Sequence, residues 1–136
     1  MKLIHVYLPF LLFAALIISS CSKSEPLQLD LDPQKAILGK WELIEGGGRP
    51  YNSPDYVEYL PDSIVRYYDG IQKQFISQTT YWLKDSMLYK GIYVDGAFDG
   101  ERLEYHFFDN NNKLQLENHN LISVAGAPVW VYKRIK

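Results

Sequence analysis

The sequence predicts an all-β fold, an eight-stranded antiparallel up-and-down β-barrel, over residues 37–136. Three observations predict it. Period-2 runs rich in Tyr, Val, Ile, Trp and Phe recur along this part of the chain, with no sustained helical spacing. Short stretches of turn residues separate the runs, and most leave room only for hairpins, so neighbouring strands pair antiparallel. Eight such strands in about 100 residues can meander into a barrel, which leaves no free edge. A two-sheet sandwich is the alternative arrangement of the same strands.

The strands fall at 37–45, 56–60, 64–69, 74–84, 87–93, 101–109, 113–119 and 128–135. The separators are Gly46-Gly47-Gly48-Arg49-Pro50, Pro61-Asp62-Ser63, Asp69-Gly70, Asp85-Ser86, Asp95-Gly96 with Asp99-Gly100, Asn110-Asn111-Asn112, and Gly126-Ala127. The glycine run 46–48 makes a poor phosphate cradle, because no helix and no Lys-Ser/Thr follows it. Facing can be checked across one hairpin. Leu103, Tyr105 and Phe107 share one face, and Leu114 and Leu116 share one face of the next strand. A loop with an even number of residues matches apolar to apolar, and two of the three asparagines can form it as a type I′ turn.

Before the strands lie an export segment and a tether. Residues 1–20 carry Lys2, an apolar run over 4–18 and the pair Ser19-Ser20, the layout of a signal peptide. The run is short for a bilayer span of roughly 20 residues. Cys21 follows at once and is the only cysteine, so no intramolecular disulfide can form. Ile18-Ser19-Ser20-Cys21 resembles the lipobox of bacterial lipoproteins, with Ile18 where Leu is more usual. The resemblance implies a diacylglyceryl group on Cys21, which becomes the new N-terminus, and so a membrane partner through that anchor. Ser22 is not the Asp that commonly retains lipoproteins at the inner membrane, which favours the outer membrane of the cell envelope. Residues 21–36 read as the lipidated N-terminus and its tether, with two prolines and no aromatic; alternation at Leu27, Leu29 and Leu31 also permits a short edge strand.

Charge excludes one class of partner. Removal of residues 1–20 takes away Lys2 alone among the charged residues, so the chain becomes one unit more negative than its formal −2. That is not the basic footprint of a nucleic-acid binder. A hydrophobic content of 47% with 15% aromatics excludes a disordered chain.

The sequence offers little for catalysis. His106 and His119 stand beside acidic residues on the expected outer face, and one register sets His106 opposite Glu117 and Glu104 opposite His119. A flat exposed face gives a metal no cavity, so solvated ion pairs are expected there, with no metal and no cofactor. No Gly-x-Ser-x-Gly elbow or His-Glu-x-x-His is present, and no enzyme activity is expected. Asp62-Ser63-Ile64 and Asp85-Ser86-Met87 are similar to the acceptor pattern of a periplasmic O-glycosylation system, and are also ordinary turn chemistry. Tyrosine is the distinctive enrichment, with 11 in the chain. Tyr59, Tyr67, Tyr81 and Tyr105 fall on inward faces of four strands beside Val57, Val65, Leu83 and Phe107. Rings with hydroxyl tips suit an amphipathic ligand cavity, and equally they fill a small barrel.

Gly39-Lys40-Trp41 opens the first strand with Gly-x-Trp, which resembles the opening motif of lipocalins and of the small lipocalin-like domains of bacterial lipoproteins. The resemblance implies a basic residue on the last strand packed over that Trp at the closed barrel end, a part Arg134 would take. The hairpin Tyr59-Leu60-Pro61-Asp62-Ser63-Ile64-Val65 is similar to the second hairpin of the bacterial domains, with Ser63 where Gly is usual. The expectation is a membrane-anchored lipocalin-like lipoprotein that binds a small apolar or amphipathic molecule at the open barrel end. The competing expectation is a filled barrel serving as a non-catalytic interaction or structural module, whose protein partners the sequence does not name.

Overall fold

The structure, a computed structural model, describes residues 32–120 and 126–136. The export segment, Cys21 and the alternation at Leu27, Leu29 and Leu31 lie outside the described residues. The described chain begins with a helix signature. The Asp32 carboxylate accepts from the Gln34 N–H at 3.0 Å, and Pro33 needs no N–H in the first turn. The resulting α1 (Pro33–Ala36) is a single turn at the end of the segment read as a tether. Ala36 and Ile37 are buried, Ile37 within the main core cluster.

The strands are β1 (Gly39–Gly46), β2 (Arg49–Pro50), β3 (Tyr56–Tyr59), β4 (Ile64–Asp69), β5 (Gln74–Lys84), β6 (Met87–Val94), β7 (Ala97–Phe108), β8 (Lys113–Glu117) and β9 (Val129–Ile135). They form one antiparallel sheet, and β1 also pairs with β9. All but the two-residue β2 therefore lie in a ring of eight strands, an up-and-down order rather than two stacked sheets. Two strands match their expected bounds, 64–69 and 74–84. The first starts two residues later than expected because α1 leads into it. β7 starts at Ala97 instead of 101, since Asp95-Gly96 alone makes the turn, with φ of 51° and 79°. The β7–β8 hairpin keeps the expected facing, Tyr105 opposite Leu116 and Phe107 opposite Leu114. Its loop is the four residues 109–112 and not two asparagines, with positive φ at Asp109, Asn110 and Asn111.

Alternation around the ring sends one set of side chains inward. Trp41, Tyr59, Val65, Leu88, Leu103, Leu114 and Leu116 are almost wholly buried there. Turns β3–β4, β5–β6 and β7–β8 share one end of the ring with the start of β1; the loops after β2, β4, β6 and β8 share the other. We call these the closed and open ends.

Closure is incomplete at the open end. β5 and β6 pair only from Tyr81–Lys84 to Met87–Lys90. Beyond that point β5 stays with β4 and β6 stays with β7, so facing edges of β5 and β6 have no ladder between them. This corrects the expectation of a ring without free edges. Gly91 and Gly100 mark where β6 leaves β5. They lie opposite each other on β6 and β7, and a Cβ on Gly100 would stand 2.2 Å from the Lys90 carbonyl oxygen and 2.7 Å from the Gly91 Cα. Only glycines allow backbones this close. Gly100→Ala should cost about 1–2 kcal/mol by forcing the two strands apart. A urea midpoint equal to wild type would show the contact to be slack.

Candidate functional site

The two ends of the ring do different work. At the closed end, Gly39 has φ +109° and lacks the Cβ that would come within 3.3 Å of the Arg134 Nη1. The Arg134 guanidinium therefore passes over Gly39 and stacks on Trp41, its central carbon 4.2 Å from the ring centroid. It donates to the carbonyl oxygens of Leu38 at 2.7 Å and Asn111 at 3.2 Å, and to that of Ala36. Trp41 is fully buried, and its Nε1–H donates to the Ile37 carbonyl at 2.7 Å. One cation thus joins α1, the start of β1 and the 109–112 loop into a cap.

The four tyrosines read as ligand contacts separate into different surroundings. Tyr59 and Tyr81 are core residues, edge to face at 4.9 Å, and the Tyr81 hydroxyl donates to the Leu60 carbonyl at 2.9 Å. Tyr105 packs on Phe107 at 5.7 Å and is partly buried. Tyr67 alone of the four lines the cavities described here. Both lie in the open half. A cavity of about 200 Å³ runs along Leu43, Val57, Tyr67, Ile76 and Tyr132. A larger cleft of about 510 Å³ occupies the gap between β5 and β6. Gln78 and Thr80 from the outer face of β5 line it together with inward residues Tyr67, Thr79, Lys90 and Glu101. Residues from both faces of the wall make it a slot through the wall rather than a bowl on it.

Lys90 forms the floor of this slot, and sequence reasoning missed it. Its side chain is only 8% exposed, and its ammonium pairs with the Glu101 carboxylate at 2.8 Å. It also stands 5.7 Å from the Tyr67 ring centroid. Burial alone would draw the ammonium down; the Glu101 carboxylate in contact with it opposes this and holds Lys90 above the ordinary lysine value. Tyr59 is raised by burial, the Lys90 charge opposing, and burial raises Tyr132 too. The pair was within reach of the sequence. A two-residue Asp95-Gly96 turn sets Val94 opposite Ala97, and counting back sets Lys90 opposite Glu101, on the face that buries Leu88 and Leu103.

These shifts carry a pH signature. Tyr59 and Lys90 both have folded values above their unfolded values, so the unfolded chain releases these protons first as pH rises. Stability from these groups is fully present at neutral pH and should decline above about pH 10, the unfolded range of Tyr and Lys. Urea midpoints measured from neutral to alkaline pH check this. A midpoint that holds well past that pH would mean the phenol and ammonium reach water.

The histidines stay apart from the slot. His119 Nε2 pairs with Glu104 at 2.8 Å and lies 3.7 Å from Glu117. Glu104 is opposite Glu117, and His106 is opposite Gln115 and stacks on Phe108, so the expected His106–Glu117 pairing does not form. Ser63 and Ser86 are exposed, each with φ of 63° in a closed-end turn. On the outer face, Trp82 stacks against Tyr89 at 5.2 Å and Tyr93 at 5.8 Å, with Phe98 edge-on. Set against known proteins, the chain matches no protein-family model and has no significant match among curated proteins.

Proposed function

We propose that this is a cell-envelope lipoprotein, anchored through Cys21, whose ring is a lipocalin-like barrel that binds a small amphipathic molecule in its open half. One observation carries the reading: the closed half is capped by Arg134 over the buried Trp41, whereas the open half keeps a slot of about 510 Å³ with the Lys90–Glu101 pair at its floor and Tyr67 in its wall. That size lies within the usual range of ligand sites, roughly 300–1,000 Å³. An ammonium as buried as that of Lys90 costs desolvation, and stability alone is weak reason to keep one, even beside the half-exposed Glu101. The contact of Arg134 with Trp41 supports the lipocalin likeness, though one fold hosts many functions.

Native mass spectrometry of the full-length protein from its own cells tests the reading. A bound small molecule is expected, and Tyr67→Ala should release it. A bare protein mass under gentle conditions argues against it. Cys21→Ser should move the protein out of the membrane fraction, because acyl chains supply about 0.8 kcal/mol per buried methylene. Equal fatty-acid labelling of wild type and variant would overturn the anchor.

A second reading rests on the open-end hairpins. Ile71, Phe75, Ile76, Ile92, Tyr93 and Val94 are exposed on the β4–β5 and β6–β7 hairpins that flank the slot, Ile92 also in the slot's lining and Ile76 in that of the smaller cavity. Clustered apolar side chains of this kind suit an interaction module. That reading expects a saturable protein partner and no bound small molecule.

A further inference from the structure

The chemistry of the slot narrows its ligand, on the reading that a small molecule binds there. We propose that it takes a neutral, hydroxyl-rich ligand, a sugar or short oligosaccharide, and rejects fatty acids and other anions.

Charge is the first argument. The lining carries one ammonium, Lys90, against two carboxylates, Asp99 and Glu101. The ammonium is already engaged by Glu101 at 2.8 Å. An anionic head group would therefore meet a negative site whose cation is taken, and would have to displace a carboxylate to reach it.

Desolvation is the second. Ile64, Ile92 and the Tyr67 ring interleave in the slot with Gln78, Thr79 and Asp99. An alkyl chain would meet apolar contacts there, but it would also strip water from those three polar residues and give no hydrogen bond in return. Past Tyr81 and Lys90 the facing edges of β5 and β6 have no ladder between them, and there the Thr80 hydroxyl donates across the gap to the Gly91 carbonyl. A wall of mixed apolar and polar residues suits a ligand that presents C–H faces and hydroxyls together.

A sugar supplies both. Its hydroxyls donate to the Asp99 and Glu101 carboxylates and accept from Lys90 and the Gln78 amide, and its C–H face packs on the Tyr67 ring. The missing side chains at Gly91 and Gly100 keep the slot open beside the Lys90–Glu101 pair.

Calorimetric titration of the full-length chain with maltose, cellobiose and chitobiose, run beside a fluorescent fatty-acid analogue, tests the proposal. At least one disaccharide should bind saturably at millimolar concentration or below, and the fatty-acid analogue should not compete with it. Asp99→Asn should weaken that binding about tenfold, the usual effect of replacing a charged acceptor with a neutral one, without moving the thermal midpoint. If only the fatty-acid analogue binds, the ligand class is wrong and the small-molecule reading stands. If no probe binds, the small-molecule reading fails with it. Sugar binding that Asp99→Asn leaves unchanged places the sugar elsewhere and overturns the assignment to the slot.

Discussion

Trp41→Ala should destabilise the protein by about 3–5 kcal/mol, the range for deleting a fully buried large aromatic from a core. The ring is wholly buried, contacts Phe107 at a centroid distance of 6.0 Å and lies under the Arg134 guanidinium. Its loss removes apolar contact and leaves a cavity that the strands cannot close, because the β1–β3 ladder, with Trp41 opposite Val57, and the β1–β9 ladder hold the backbone on both sides. It also removes the Nε1 donor from the Ile37 carbonyl and the face on which Arg134 rests. Marginal stability of about 5–15 kcal/mol makes this a large share of the total. Trp41→Phe separates the contributions. It keeps most of the apolar surface and loses the indole N–H, so a smaller cost is expected, about 1–2 kcal/mol from the lost hydrogen bond and partial void. Urea unfolding of both variants is the measurement. A cost for Trp41→Ala below about 1 kcal/mol would mean that this end of the ring does not hold the fold.

Much of the ring was legible because alternation and turn chemistry agreed. Residues 64–69 and 74–84 are rich in strand-forming residues and flanked by the turn signals Asp62-Ser63, Asp69-Gly70 and Asp85-Ser86, and their bounds match the structure. At the closed end the expectation for Gly39, Trp41 and Arg134 came from the resemblance and not from spacing or alternation, which do not say that a residue of β9 reaches over the Trp41 ring as Arg134 does. Other elements were hidden for identifiable reasons. Asp32-Pro33 carries a helix-start signature, yet one turn shows no periodicity to confirm it. Asp99-Gly100 looks like a turn, but Gly100 serves a close approach to Gly91 inside a strand. The slot depends on where pairing between β5 and β6 stops, and both strands run on past that point, paired with β4 and β7, so the sequence carries no strand end to mark it. Tyrosine enrichment pointed to the interior correctly, but hydroxyl-bearing rings that pack and rings that line a cavity look alike in sequence; the cap and core took Tyr59, Tyr81 and Tyr105.

The Lys90–Glu101 pair should respond asymmetrically to removal of its two members. Glu101→Leu leaves the ammonium of a nearly buried lysine without its counter-charge, 5.7 Å from the Tyr67 ring. Breaking a fully buried pair this way costs about 3–5 kcal/mol; half of the Glu101 side chain is exposed, so water screens part of the loss and about 2–3 kcal/mol is expected. Lys90→Met is the gentler change. Methionine keeps an unbranched stem of similar length among Tyr59, Tyr67 and Tyr132, and the released Glu101 carboxylate can turn to water from its half-exposed position. Its cost should stay below about 1.5 kcal/mol. The double variant should recover most of what Glu101→Leu loses, since no charge then stays inside. Urea unfolding of the three variants closes the cycle. Equal costs for the two single changes would show that both charges reach solvent. The same variants bear on function by a separate readout, because a stable Lys90→Met protein that no longer retains its small molecule would mean that the pair was kept for binding rather than for folding.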